Sequence, residues 1–199
     1  MSRVVALAMC AGAVLAASVS CAAPPATEVA ADRVVLVAVP GGTAASSRRH
    51  GPSGEDEERA FGFSHDEVGA AIAATHIGPR IGPSAGAAVV EATLDAQCWG
   101  DLATARARFA SALPVPDQPA RTDLIPAAIF FRVIAGDGQG DHVVVSLLAD
   151  TRQARDRGGY SRVDATLRRD DGDWRLRVPV PRPILHPDTA GYALLGPTS

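Results

Sequence analysis

Five histidines and three cysteines are the first places to look for chemistry in this chain of 199 residues. His65 stands beside Asp66, and an imidazole next to a carboxylate can act as a general base. The same pair also suits the start of a helix, where His65 would help cap it or pack on Phe63, and that is the role expected. His76 follows eleven residues later. On a helix that spacing separates the rings by ~16 Å along the axis, too far for one metal ion. His142 opens an expected strand and His186 follows a proline-rich exit, so both are expected at the surface. The chain lacks the His-x-x-Glu-His type of spacing that places two imidazoles and a base on one helix face. Cys98, beside Trp99, reads as a small buried hydrophobe, since a reactive thiol needs a base nearby. No catalytic residue, metal site or cofactor is therefore expected.

Composition narrows the field further. All 19 basic residues are arginine, so the phosphate-loop lysine, the Schiff base and the Ser-x-x-Lys pair are excluded. The 22 acidic residues leave a net charge of -3, without the basic footprint of a nucleic-acid binder. Arg162, Arg168, Arg175 and Arg177 fall on one side of two adjacent strand-like segments, with Asp164 between them. They form a candidate interaction surface for an acidic partner or anionic lipid headgroups, or else the solvated face of a hairpin.

Residues 1–22 read as a signal peptide. Arg3 supplies a weak positive start, Val4 to Val19 is uncharged and mostly apolar, and small residues follow. Ser18-Val19-Ser20-Cys21 resembles a bacterial lipobox, with Ser18 where that motif prefers Leu. Cys21 is thus a lipidation candidate, and its lipid would anchor the protein to the membrane. The alternatives are ordinary secretion with a cut near Ala22 and an uncleaved anchor. With Cys10 in the leader and Cys21 acylated, Cys98 would have no disulfide partner.

Residues 23–59 are expected to be a tether with a short extended segment at Arg33–Val39, and residues 60–199 a single α+β domain. Pro40 to Arg59 reads as linker because Gly, Ser, Arg48-Arg49 and Glu55-Asp56-Glu57-Glu58 bury little apolar surface. Ser64 and Glu67 have the spacing of a capping box. Val68, Ala71, Ile72 and Thr75 then form one apolar helical stripe, ended by Gly78-Pro79. A second helix opens at Pro83-Ser84, and Asp101 caps a third from Leu102 to Leu113. Strands follow at 127–135, 142–151, 160–169 and 174–178. The third alternates Ser161, Val163, Ala165 and Leu167 against Arg162, Asp164, Thr166 and Arg168. One dry face and one wet face suggest an antiparallel sheet covered on one side. The fold expected is α+β, with N-terminal helices packed on a curved sheet of about four strands, as in a cystatin-like or nuclear transport factor 2-like roll.

Gly51-Pro52, Gly62-Phe63-Ser64-His65 and Val68-Gly69-Ala70-Ala71-Ile72-Ala73-Ala74 resemble the "GP … GFSHTPxGAxxAA" pattern of an uncharacterised family of actinobacterial exported proteins and lipoproteins. Arg80, Gly172-Asp173-Trp174-Arg175-Leu176 and Gly191-Tyr192 extend the likeness. Asp66-Glu67 stands where the family has Thr-Pro. Some members resemble extracytoplasmic assembly domains of conjugation and type IV secretion. The resemblance therefore implies a non-catalytic binding or scaffold module of the cell envelope, with an envelope protein complex as partner. It brings no catalytic residues. The alternative is a small-molecule-binding protein or enzyme of the nuclear transport factor 2-like class. The apolar inward positions Val163, Ala165, Leu167, Trp174 and Leu176 point to a filled core and so to the scaffold.

Overall fold

The computed structural model describes residues 33–112 and 122–198. The leader, Cys21 and the first part of the expected tether lie outside these. In chain order the described residues form a hairpin, β1 (Val35–Val39) and β2 (Gly42–Ser46), then β3 (Gly54–Glu55) and β4 (Ala60–Phe61). Three helices follow, α1 (Glu67–Arg80), α2 (Ala87–Gln97) and α3 (Leu102–Ser111), with β5 (Cys98–Gly100) between the last two. Then come β6 (Pro126–Gly136), β7 (His142–Thr151), the single turn α4 (Arg152–Arg155), β8 (Tyr160–Asp170), β9 (Asp173–Val178), β10 (Ile184–His186) and β11 (Ala193–Gly196).

The expected meander β6-β7-β8-β9 is present and antiparallel throughout. It is the middle of a larger object. The sheet has seven strands in the order β11-β6-β7-β8-β9-β5, with β10 also paired to β8. The small roll of about four strands is thus corrected to a mixed α/β arrangement around a large sheet. The three added strands are three or four residues long and carry no period-2 alternation that a reader of sequence could use. β5 runs parallel to β9, pairing Cys98 with Leu176.

The linker expected to reach residue 59 is also corrected. Pro40-Gly41 turns β1 into β2, with Gly41 at φ 82°. Ala44 and Ala45 are fully buried, and the Thr75 hydroxyl of α1 accepts a hydrogen bond from the Ala45 amide at 3.1 Å. Small side chains let this strand approach the helix closely, which is why an apolar count undervalues it.

α1 lies at the centre. Its residues 69–77 and Arg80 are buried, while Gly78 and Pro79 are part-exposed at the open end. It packs on Val143, Val145, Ala165, Leu167, Trp174 and Leu176 of the sheet. Its N-cap is Asp66 rather than Ser64, with the carboxylate accepting from the Gly69 amide at 2.7 Å. It also continues through Gly78-Pro79 to Arg80. A residue before proline is pushed out of the helical region by its own Cβ, and glycine has none.

The motif residues meet at one junction. Asp173 accepts hydrogen bonds from the amides of Gly62 and Phe63 at 2.8 and 3.2 Å, and the Trp174 indole donates to the Ser64 carbonyl at 2.9 Å. A Cβ on Gly69 would run into that same Ser64 carbonyl. The pattern thus fixes the β8–β9 turn to the start of α1 through backbone geometry.

Candidate functional site

Two cross-strand rows of the helix-facing side define the floor of a hollow. One row is Ile129, Ala149 and Ser161; the other is Leu147 and Val163. α1 covers the sheet elsewhere but ends before closing over these rows. Its last turns present Ala74, Gly78 and Pro79, and α3 presents Ala105, Arg108 and Phe109. Small residues on both walls leave the space unfilled. The third wall is Pro179–Pro183, where three prolines that lack a ladder donor carry the chain from β9 to β10 along the same edge of β8. The space is about 670 Å³. Ligand pockets of ~300–1,000 Å³, mostly apolar with a few polar groups, have this character. The expectation of a completely filled core is corrected at this end of the sheet. Among the described residues, Arg108 and Arg182 are the charged residues of the lining, and no Asp or Glu lines it.

The opposite face of the sheet carries the four arginines singled out above, and each is engaged. Arg162 bonds the Asp164 carboxylate at 2.8 and 3.0 Å and the Ser146 hydroxyl at 2.9 Å. Ser146 donates to Asp164 at 2.6 Å and lies 2.9 Å from the Tyr192 hydroxyl, while Arg132 stacks on the Tyr192 ring. Burial alone would raise the Asp164 pKa, but the bonds from Arg162 and Ser146 hold it below the usual carboxylate range. The tail therefore returns over this face, which is not uniformly wet; Ser146 and Leu148 are fully buried. Arg168 and Arg175 share Asp170 at 3.2 Å, and Arg175 also reaches Asp171. Arg168 and Arg177 stack on Trp99 at 4.6 and 5.7 Å. The structure thus places Arg162 in one network and the other three around Trp99, Asp170 and Asp171.

The histidines serve structure. The His65 ring bonds the Gly140 carbonyl at 3.1 Å and meets Trp174 edge-on, away from Asp66. Asp66 faces His50, a partner that sequence reading passed over because sixteen residues separate them. Asp66 and Ser64 both meet the same ring atom of His50, Nδ1, at 2.9 and 3.1 Å. A nucleophilic triad needs its serine on one ring nitrogen and its carboxylate on the other, so this cluster is not one. Burial would raise the Asp66 pKa, but the Gly69 amide, Ser64 and His50 lower it below the usual range. His76 is buried, with Nε2 donating to the Ala45 carbonyl at 2.9 Å and Nδ1 accepting from Arg80 at 3.1 Å. Burial and the Arg80 charge lower its pKa to about 4. Cys98 is buried too, and burial pushes its thiol up to about 12. Among the described residues no three His, Cys, Asp or Glu side chains converge as metal ligands.

The apolar hollow is thus the site the fold builds, and the family match covers all of its described lining residues. The family described as a domain of unknown function, DUF8175, matches residues 10–193. The chain belongs to that family. No curated protein matches the chain. No solved structure matches it either. Among the described residues no helix is long and apolar enough to cross a membrane.

Proposed function

We propose that this DUF8175 chain is an exported binding module of the cell envelope that holds a small, largely apolar molecule in the hollow between the sheet and α1, α3 and the Pro179–Pro183 strap. The hollow carries the reading. Its floor and walls are mostly hydrocarbon, and burying a ligand's apolar surface there contributes ~25 cal/mol for each Å² removed from water. Export and attachment through Cys21 rest on the leader composition and the lipobox-like residues.

The test is binding of N-phenyl-1-naphthylamine, an uncharged fluorophore, to the purified full chain. Saturable fluorescence enhancement is expected, lost in Ala149→Phe, which fills the floor, and in Ala105→Trp, which fills the α3 wall. Both positions are half-buried beside open space, so circular dichroism and urea midpoints close to the parent are expected. Failure of the parent to bind the fluorophore overturns the reading. Labelled palmitate incorporated in cells and lost in Cys21→Ala tests the anchor.

A scaffold role is the second reading. Ile184 and Leu185 favour it, because β10 leaves them 59% and 51% exposed on a short strand at the sheet edge. Copurification of a defined envelope complex, lost in Ile184→Asp with Leu185→Asp, is the expected result for that reading.

A further inference from the structure

We infer that the molecule held in the hollow is a long-chain monocarboxylate, with its hydrocarbon chain inside and its carboxylate at Arg108 and Arg182. The inference rests on the reading of the hollow as a binding site and names its ligand class.

The chain follows from what the interior withholds. Among the described residues, Phe109 is the aromatic side chain of the lining, and aliphatic, proline and small residues make up most of the rest. A flat heteroaromatic ligand would therefore find little to stack on. Among the described lining side chains the neutral hydrogen-bonding groups are three hydroxyls, those of Thr43, Thr75 and Ser161. Thr75 is committed already, its hydroxyl donating to the Ile72 carbonyl at 2.7 Å and accepting from the Ala45 amide at 3.1 Å. A ligand with several heteroatoms would bury them without partners, which is unfavourable even where the shape fits. A hydrocarbon chain loses nothing there.

The head follows from charge. Arg108 and Arg182 are exposed, and among the described residues neither makes an ion pair. The arginines around them behave differently. Arg106, two residues away on α3, bonds Glu91 at 2.8 Å and Asp95 at 2.5 Å. Arg162 bonds Asp164, and Arg168 and Arg175 bond Asp170. Two guanidinium groups without a contact ion pair, Arg108 with only a longer-range interaction with Asp101, thus border an apolar hollow that has no carboxylate among its described lining residues. Each can take a carboxylate in the paired N–H geometry that arginine offers. A second charge along the chain would be buried in the apolar interior without a partner, so the head is a single terminal carboxylate.

The experiment is displacement of bound N-phenyl-1-naphthylamine from the full chain by palmitate or by hexadecanol, both kept below the concentrations at which they aggregate. Palmitate should displace the fluorophore at lower concentration than the alcohol. In the double variant Arg108→Glu, Arg182→Glu, palmitate should weaken about tenfold or more, while the fluorophore and the alcohol stay within about twofold. Both sites are exposed, so folding is expected to survive the change. Equal behaviour of palmitate in the parent and double variant overturns the placement of the head. A fluorophore that binds but yields to neither chain overturns the ligand class while the hollow stands as a site. A fluorophore that never binds takes the underlying reading down as well.

Discussion

His76 shows how burial decides what a titratable residue can do. Its ring is fully buried, bonded to the Ala45 carbonyl on one side and the Arg80 guanidinium on the other. Nδ1 must be bare to accept from Arg80, so the native ring is neutral with its proton on Nε2. The Glu55 carboxylate, 3.5 Å from Nδ1, pulls the other way, but it is half exposed and Arg80 is nearer. The folded pKa of about 4 lies below the ordinary 6.5. Between those values the unfolded chain binds the extra proton and the folded chain does not. Stability from this residue is therefore intact above pH 6.5 and is lost as pH falls through about 4, a cost on the order of 3 kcal/mol. The ring resonances of His76 should stay those of neutral imidazole at pH 5.5 in an NMR titration, and a titration midpoint near 6.5 would refute the account. Cys98 makes the parallel case for a thiol. Buried and pushed up to about 12, it should resist iodoacetamide at pH 8 until urea unfolds the chain, read as the mass of the peptide that contains it.

At the scale of elements, the start of α1 is a small machine of backbone donors and one carboxylate. Asp66 caps the helix and also holds His50, so Asp66→Ala should lower stability by about 1–2 kcal/mol. Asp66→Asn keeps an acceptor for the Gly69 amide and should recover part of the loss. Urea unfolding at pH 7 reads both, and equal loss in the two variants would show that the cap oxygen contributes nothing. This junction was only half legible in sequence. The helix start, the α3 cap at Asp101 and the four central strands follow from local signals: cap residues, alternation, and Gly-Asp turns. Asp101 does accept from the Thr104 amide at 2.9 Å. The identity of the α1 cap was not legible, because Ser64 and Asp66 both have cap chemistry and only the fold shows that Asp173 and Trp174 occupy the Ser64 neighbourhood. β5, β10 and β11 were not legible because three or four residues carry no period. The β1–β2 hairpin was missed because alanine contributes little to an apolar count while fitting closely against α1.

The whole molecule decides whether a sheet face becomes core or hollow, and no local pattern contains that information. Leu147, Ala149 and Val163 look the same in sequence as Val145, Ala165 and Leu167. The first set borders open space because α1 ends short of it, and the second is covered. Closure of the molecule depends on its described ends in a similar way. β11 pairs with the outer edge of β6, Leu195 is buried, and Gly196 comes up against the Val34 and Leu36 side chains beside β1. One short strand therefore covers the β6 edge at Ile129, Phe130 and Phe131 and buttresses the N-terminal hairpin. Leu195→Ala should cost about 2–4 kcal/mol, the usual range for emptying a buried leucine site. Ending the chain after Tyr192 removes the strand but keeps the Tyr192 hydroxyl at Ser146, so the network behind the sheet persists while the β6 edge is bared. The truncated chain should unfold at lower urea and aggregate at concentrations where the parent stays monomeric, since an open edge offers its backbone groups to another chain. Light scattering alongside urea titration reads the two effects. If the truncated chain keeps the parent's midpoint and remains monomeric, β11 is an ornament on the sheet and the closure argument is wrong.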